Sequence, residues 1–576
     1  MTTIKLAYLN IISVAMDAAI LYAATAHASG WGYDPLTILQ NQPRLLISYA
    51  IYLVLRSWLP GHLSALLIGC VILLLGAVNT IKMTATGEPL VFYDLFQPDQ
   101  TTHLTEYLNR ELAVLVVILT ILMLSAAAHL LRKRSKAVAI KPLVAGIAAI
   151  ALALFPYYPN RFNMRERVTS FFTEHLRTNY ISWDLPANLR TNGLPFHLLF
   201  TSVKRKVAAV PFEAPIPLAT PRSVSVDVPS APYQNIIIVL CESCWDNRID
   251  PASPFQTLRD AGFSQIEVIT PVYGGGTANA EFEVLTGLPS RNLSGIIYRE
   301  YGRDFASTTD TLPSSLKSLG YRATASHNFF RNFWSRNKVY PKLGFEKYVA
   351  LEDMMYEGER IYPEDRLVYE VAQHAITSSP TERQFLFLAT VSTHGPYVEK
   401  GDGGYAEYQK KLREAIADLH SFAKWLEASN QDYLLIVFGD HKPALNRYFY
   451  DHGILPRELF RKTGEKNQDF RFAYGSVAHQ ELLGRTPFMI KASRKNNGYD
   501  AFLTKLNEKP LFCFRPLLAR WLEIDITPTI LMMEHQCRDT DVPYLERAGR
   551  YPDALYFSAL FNSGMQYETI FPARSQ

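Results

Sequence analysis

Apolar positions divide this chain in two. Long apolar stretches follow one another at 4–26, 45–59, 63–81, 112–131 and 137–157. A helix needs about 20 mostly apolar residues to cross a bilayer, so these predict five membrane helices. The 45–59 stretch is the shortest and is flanked by Arg44 and Arg56. Beyond Tyr233 the pattern changes. Short runs such as Asn235-Ile-Ile-Ile-Val-Leu240, Gln384-Phe-Leu-Phe-Leu-Ala389 and Tyr433-Leu-Leu-Ile-Val-Phe438 alternate with helical stretches such as 408–427. Alternation of that kind predicts an α/β domain, a mixed or parallel sheet flanked by helices. Residues 160–206, rich in Arg and aromatics, are expected to form short helices on the outer leaflet. Residues 207–232 read as a proline-rich, semi-rigid linker. The expected organisation is thus a transmembrane domain at 1–157, juxtamembrane helices and linker at 158–232, a catalytic domain at 233–496, and a C-terminal extension at 497–576 packed on it.

The loops set the orientation. Arg132-Lys-Arg-Ser-Lys136 and Lys141 form the densest basic turn and should face the cytoplasm. Five crossings then place everything after Tyr157 outside. No small-residue cleavage site follows the first stretch, so it reads as a retained anchor. Asp17 lies mid-span, where a carboxyl either faces the bundle interior or serves function. A net charge of +4 on 576 residues gives no case for nucleic acid. Five cysteines are too few for a disulfide scaffold. The pair Cys241-x-x-Cys244 allows zinc chelation, a local disulfide or plain burial at a strand end.

Two of the buried-strand patterns run straight into ligand-type residues. The first ends at Cys241-Glu242-Ser243, and the one from Tyr433 ends at Gly439-Asp440-His441. Ligands of open α/β sheets bind beyond the carboxyl ends of the strands, so the two clusters can share one ion. Mixed oxygen and imidazole ligation by Glu242, Asp440 and His441 suits Mn²⁺ or Zn²⁺, whereas Mg²⁺ prefers oxygens alone. Between them Tyr273-Gly-Gly-Gly-Thr277 delivers a hydroxyl to the start of a helix, whose amide groups suit an anion. Thr277 is the expected nucleophile, which needs a metal or a base to lower its pKa. Taken alone it would be an ordinary helix cap. His394, after the Gln384 strand, is placed to donate to a phosphate or to a leaving oxygen. Trp334 and Arg336 pair a flat apolar face with a bidentate anion fork. His327 and His479 are spare candidates, each readable as structural.

Together, Glu242, Gly-Thr277-Ala-Asn-Ala-Glu-Phe282, Phe-Trp334-Ser-Arg336-Asn, Ser-Thr-His394-Gly and Gly-Asp440-His441 resemble the lipoteichoic acid synthase family of the alkaline phosphatase–sulfatase superfamily. The resemblance runs from the membrane stretches to about Lys491. It implies a five-segment α-helical transmembrane domain and an extracytoplasmic α/β domain of alkaline phosphatase/sulfatase type, in a bacterial cytoplasmic membrane. It further implies metal binding by Glu242, Thr277, Asp440 and His441, with Mn²⁺ typical. Thr277 would carry a phosphoglyceryl intermediate, and Trp334, Arg336 and His394 would hold substrate. The donor would be phosphatidylglycerol, and the acceptor a surface glycan or polymer. The segment from Thr80 and Lys82 to Asp94 also resembles the family's outer loop.

Cys241 and Cys244 depart from the family pattern, as does the tail from Asn497. A sulfatase activity is disfavoured because Gly-Thr-Ala-Asn-Ala offers no cysteine or serine for formylglycine. Phosphoethanolamine transfer is the alternative that the metal cluster permits, although those enzymes usually carry more disulfides. A non-catalytic scaffold predicts a broken ligand set, and every expected ligand is present.

Overall fold

The computed structural model describes residues 2–96 apart from 87–88, then 185–201. It also describes 233–537 apart from 249, 251, 291–296, 299–310, 399, 463, 465–469, 473–476, 525–529, 531–532, 535–536. The chain forms two compact units, Met1–Lys204 and Arg205–Gln576.

In the first unit, helices Thr2–Ser29 and Gly61–Thr86 pack along each other, burying Leu21, Ala24, Ala65, Ile68 and Ile72. Among the described residues, one helix is long and apolar enough to cross a membrane, Gly61–Met83. The stretch expected at 45–59 is helical only from Leu46 to Arg56. At about 1.5 Å per residue its 11 residues reach roughly half of a hydrocarbon core. A 3₁₀ turn, Gln42–Leu45, joins it to helix Pro35–Asn41, because Pro43 lacks the amide that a continuous helix would use. The expected crossings at 112–131 and 137–157, and the basic turn between them, lie outside the described residues.

Asp17 is buried, and its Oδ2 accepts from the Tyr52 hydroxyl at 2.5 Å; Arg56 Nη1 donates to that hydroxyl at 3.0 Å. The carboxyl therefore faces the interior of the helix group. In the loop likened to an outer loop, Lys82 Nζ donates to Asp94 Oδ2 at 2.6 Å. The short helices Leu185–Asn192 and Leu194–Thr201 pack on this unit through Leu189, Leu194 and Leu198, and Trp31 Nε1 donates to Arg190 O at 2.6 Å.

The second unit is built on an eight-stranded sheet in the order β10-β2-β9-β6-β1-β5-β3-β4. Its strands are β1 (Asn235–Cys241), β2 (Ser264–Ile269), β3 (Tyr321–His327), β4 (Lys347–Ala350), β5 (Arg383–Ala389), β6 (Tyr433–Gly439), β9 (Arg485–Ala492) and β10 (Lys509–Pro510). Strands β7 (Phe460–Lys462) and β8 (Phe470–Phe472) form a separate ribbon. Among the described strands of this sheet, only β9 runs against its neighbours, β6 and β2, so the sheet is mixed.

Every residue of β1 and β6 is buried, as expected of central strands covered on both faces. Alternate side chains feed opposite cores. Ile236, Ile238 and Leu240 join one, and Ile237, Val239 and Cys241 join the other. The second core is closed by helix Tyr405–Ala428, whose buried Tyr408, Leu412, Ile416, Leu419, Ala423 and Leu426 recur with helical period.

The expected extension contributes to the first core, that of Ile236, Ile238 and Leu240. β10 pairs with β2, helix Phe514–Trp521 buries Phe514 and Leu518, and Cys513 is disulfide-bonded to Cys537. Parallel register places Leu240 beside both Ala389 and Phe438. The residues that follow β1, β5 and β6 therefore leave the sheet side by side at one edge.

Candidate active site

Three turns meet at that edge. The Glu242–Ser243 turn after β1 is fixed by Glu242 N donating to Thr390 Oγ1 at 3.0 Å and by the Thr393 hydroxyl donating to Glu242 O. From the turn after β6, Asp440 Oδ1 accepts from Ser243 N at 2.7 Å and from His441 N at 2.9 Å. His441 Nδ1 is 3.0 Å from Lys442 O, which turns Nε2 to within 3.5 Å of Glu242 Oε1 and 3.2 Å of Asp440 Oδ2. One ligand atom from each of Glu242, Asp440 and His441 lies within 4.8 Å of the others, and all three residues are buried.

Two carboxylates in one dry place repel each other. Burial first, and then the Glu242 charge, push the Asp440 carboxyl up to about 7, against the pull of His441. Asp440 Oδ2 is buried without a hydrogen-bond donor. A divalent cation fits this donor set, since it supplies the positive charge and the partner that the buried oxygen lacks.

Thr277 brings the fourth group. Its Oγ1 donates to Glu242 Oε2 at 3.1 Å. It opens helix Thr277–Thr286 after Gly274, Gly275 and Gly276, which hold φ of 67°, 154° and 94°. That run of left-handed backbone is open to glycine and strained for any other residue. Gly274 N donates to Lys442 O at 3.1 Å, tying this loop to the turn after β6. Lys442 itself is buried, with Nζ donating to Leu482 O at 2.8 Å, and burial pulls its pKa down to about 7.

Of the expected substrate residues, Arg336 meets the same helix. Arg336 is fully buried. It donates from Nε at 3.0 Å and from Nη2 at 2.5 Å to Glu281 Oε1, while Nη1 has no hydrogen-bond partner. The fork read as an anion clamp is therefore occupied on one edge by Glu281, four residues along the helix from Thr277. Trp334 is buried too, its ring 5.1 Å from the Arg336 guanidinium. Trp334 and Ser335 hold φ of 52° and 60°, a pairing that non-glycine residues adopt only when their surroundings impose it.

His394 is half-buried and stacks on Tyr362 at 4.7 Å. Its neighbour Thr393 grips the Glu242 turn. His327 ends β3, with Nδ1 2.9 Å from Ala389 O and Nε2 without a partner. Burial, then the Arg336 charge, hold its imidazole well below its usual pKa. His479 lies outside the described side chains.

Sequence reasoning missed Glu281, which no local pattern links to Arg336, and Asp365. The Asp365 carboxylate accepts from Val391 N at 3.2 Å, Ser392 N at 3.0 Å and Ser392 Oγ at 2.7 Å, holding the loop that carries His394. Burial raises its pKa from 3.8 to about 6, against those hydrogen bonds. A raised carboxyl stabilises the fold below its unfolded pKa, and that contribution is lost as pH rises through the folded value. Wild-type protein should thus lose stability, on the order of 3 kcal/mol at most, between pH of about 4 and 6. Asp365→Asn should flatten this window in pH-dependent thermal melts.

Cys241 and Cys244 form a disulfide around the Glu242 turn, so zinc chelation by that pair does not arise.

The Sulfatase family model matches residues 234–532, just over half of the chain. A Rhizobium meliloti (strain 1021) protein named for cyclic beta-1,2-glucan modification is 28% identical over 335 residues, covering 52% of this chain and 50% of its own. Lipoteichoic acid synthase 1 of Bacillus subtilis (strain 168) is 21% identical over 279 residues, covering 45% of this chain and 38% of its own. The chain thus spans half the length or less of these two relatives. Among solved structures, the Streptococcus pyogenes phosphoglycerol transferase GacH in complex with sn-glycerol-1-phosphate matches with a TM-score of 0.43 at 20% identity, covering 59% of this chain and 89% of that one.

Proposed function

The chain belongs to the sulfatase family, and we propose that within it the protein is a membrane-anchored, metal-dependent phosphotransferase that moves glycerophosphate from phosphatidylglycerol to a surface glycan or polymer. The observation that carries this reading is the Thr277 hydroxyl donating directly to buried Glu242, where the carboxylates and His441 converge. The donor is taken from the resemblance to lipoteichoic acid synthases, and a glycan acceptor is supported by the relative named for glucan modification.

Glu242, Asp440, His441 and Thr277 would hold the cation, with Mn²⁺ favoured over Zn²⁺ or Mg²⁺ by the resemblance. When bound, it would lower the Thr277 pKa and neutralise charge on the phosphate. Thr277 Oγ passes its proton to Glu242 and attacks the lipid phosphorus. The bond to the diacylglycerol oxygen breaks, and His394 gives that oxygen a proton. An acceptor hydroxyl then gives its proton to His394 and attacks the same phosphorus, and Thr277 leaves, taking back the proton held by Glu242. Arg336, Trp334 and His394 hold the phosphate group, and positioning with charge neutralisation supplies most of the acceleration.

The catalytic domain works outside the cytoplasmic membrane, where disulfides persist. That placement agrees with the Cys241–Cys244 and Cys513–Cys537 bonds. The same two bonds keep phosphoethanolamine transfer as a second reading, because four of the five cysteines are paired within this unit. Membranes containing the enzyme, given phosphatidylglycerol labelled in its headgroup glycerol, should pass label to a glycan or polymer fraction. Transfer only from labelled phosphatidylethanolamine would favour the second reading, and transfer from neither would refute both.

A further inference from the structure

We propose that the Cys241–Cys244 disulfide positions the metal ligands, and that its formation is what makes the site competent to take up the cation. The inference rests on the metal-dependent reading of Glu242, Asp440 and His441. Cys241 is the last residue of β1, Cys244 lies three residues on, and both are buried. Only Glu242 and Ser243 lie between them. Ser243 holds φ of 49°, a left-handed conformation that a non-glycine residue adopts only under constraint. In that pose it bridges both acids: Ser243 N donates to Asp440 Oδ1 at 2.7 Å, and its hydroxyl donates to Glu242 Oε1 at 2.8 Å.

The bonded turn also lies directly against the end of β6. A Cβ on Gly439 would fall 2.1 Å from Cys244 O. Asp440 N donates to Cys241 O at 3.4 Å. Fixing the turn therefore fixes both acidic ligands at once.

Global stability is a poor explanation for this bond. A disulfide constrains the unfolded chain more as its loop lengthens. The separation is 3 residues here, against 24 for Cys513–Cys537. The short bond acts locally, on a turn that would otherwise relax away from left-handed φ and separate the ligand oxygens. Closing it converts two thiols to one disulfide. The two electrons and two protons pass to an exogenous disulfide, which becomes two thiols. Such partners act in oxidising compartments and not in the reducing cytosol. Metal loading is thereby coupled to export.

The test uses the full-length chain purified in detergent, with Mn²⁺ as the probe. Calorimetry gives its Kd, and melting of the metal-free protein gives Tm. Cys241→Ser/Cys244→Ser should weaken Mn²⁺ binding about 10–100-fold, the range for groups that orient metal ligands, with a small change in Tm. Cys513→Ser/Cys537→Ser should do the reverse, lowering Tm while leaving Kd within about twofold. Wild-type protein reduced with a phosphine, its thiols counted by mass afterwards, gives the same comparison without relying on variant folding. Mn²⁺ affinity within about twofold after loss of the Cys241–Cys244 bond would overturn the proposal, as would losses that merely track Tm in both pairs. Failure of wild-type protein to bind Mn²⁺ would overturn the metal reading, and this inference with it.

Discussion

Thr277→Ala is expected to lower turnover on the order of 1,000-fold or more, as when an enzyme loses its covalent nucleophile. Its Mn²⁺ content should stay near normal. The separation follows from geometry. Thr277 Oγ1 is one hydrogen bond from Glu242 Oε2, whereas Glu242, Asp440 and His441 are positioned by other contacts. Ser243 and Thr390 hold the first two, and His441 is turned by Lys442 O. Removing the hydroxyl takes away the attacking atom and leaves the buried acids in place. Steady-state transfer together with metal analysis of the same preparation checks this. Near-normal turnover in metal-replete protein would remove Thr277 from the mechanism.

The second large effect concerns Arg336 and Glu281. Both are fully buried, and Tyr340 OH also donates to Glu281 Oε2 at 2.9 Å. Arg336→Met strands the carboxylate and should cost about 3–5 kcal/mol of stability, the range for breaking a buried pair. Glu281→Leu alone strands the guanidinium and should cost a similar amount. The double variant removes both charges and should recover most of that stability. Activity should not recover with it. If Arg336 Nη1, the buried donor without a partner, meets the phosphate, the double variant stays about 100-fold down or more, as when a preorganised donor is removed. Chemical denaturation and transfer assays on the three variants separate the roles. Full activity in a stable double variant would make the pair purely structural.

Much of this site was legible in the chain because its residues are local to strong signals. Glu242 and Asp440-His441 each follow an unbroken apolar run, and Thr277 follows three glycines. The rule that ligands gather beyond strand ends brings such residues together from sequence alone. The rest depends on pairings that no local pattern encodes. Glu281 and Arg336 meet across 55 residues of sequence, and Asp365 reaches Ser392 across 27. The antiparallel β9 is a buried strand whose direction is set by its neighbours β6 and β2. β10 is two residues long, too short to have a period. At 45–59, apolar composition suggested one crossing, but the helix there is short, and the helical run before it is interrupted at Pro43.

The most direct test mixes Mn²⁺-loaded enzyme with phosphatidylglycerol in the absence of acceptor, followed by acid quench and peptide mass analysis. Glycerophosphate esterified to Thr277, absent from protein lacking the Glu242 carboxylate, is the predicted result. Donor consumed with the Thr277 peptide unmodified, or the ester found on a different side chain, would contradict it.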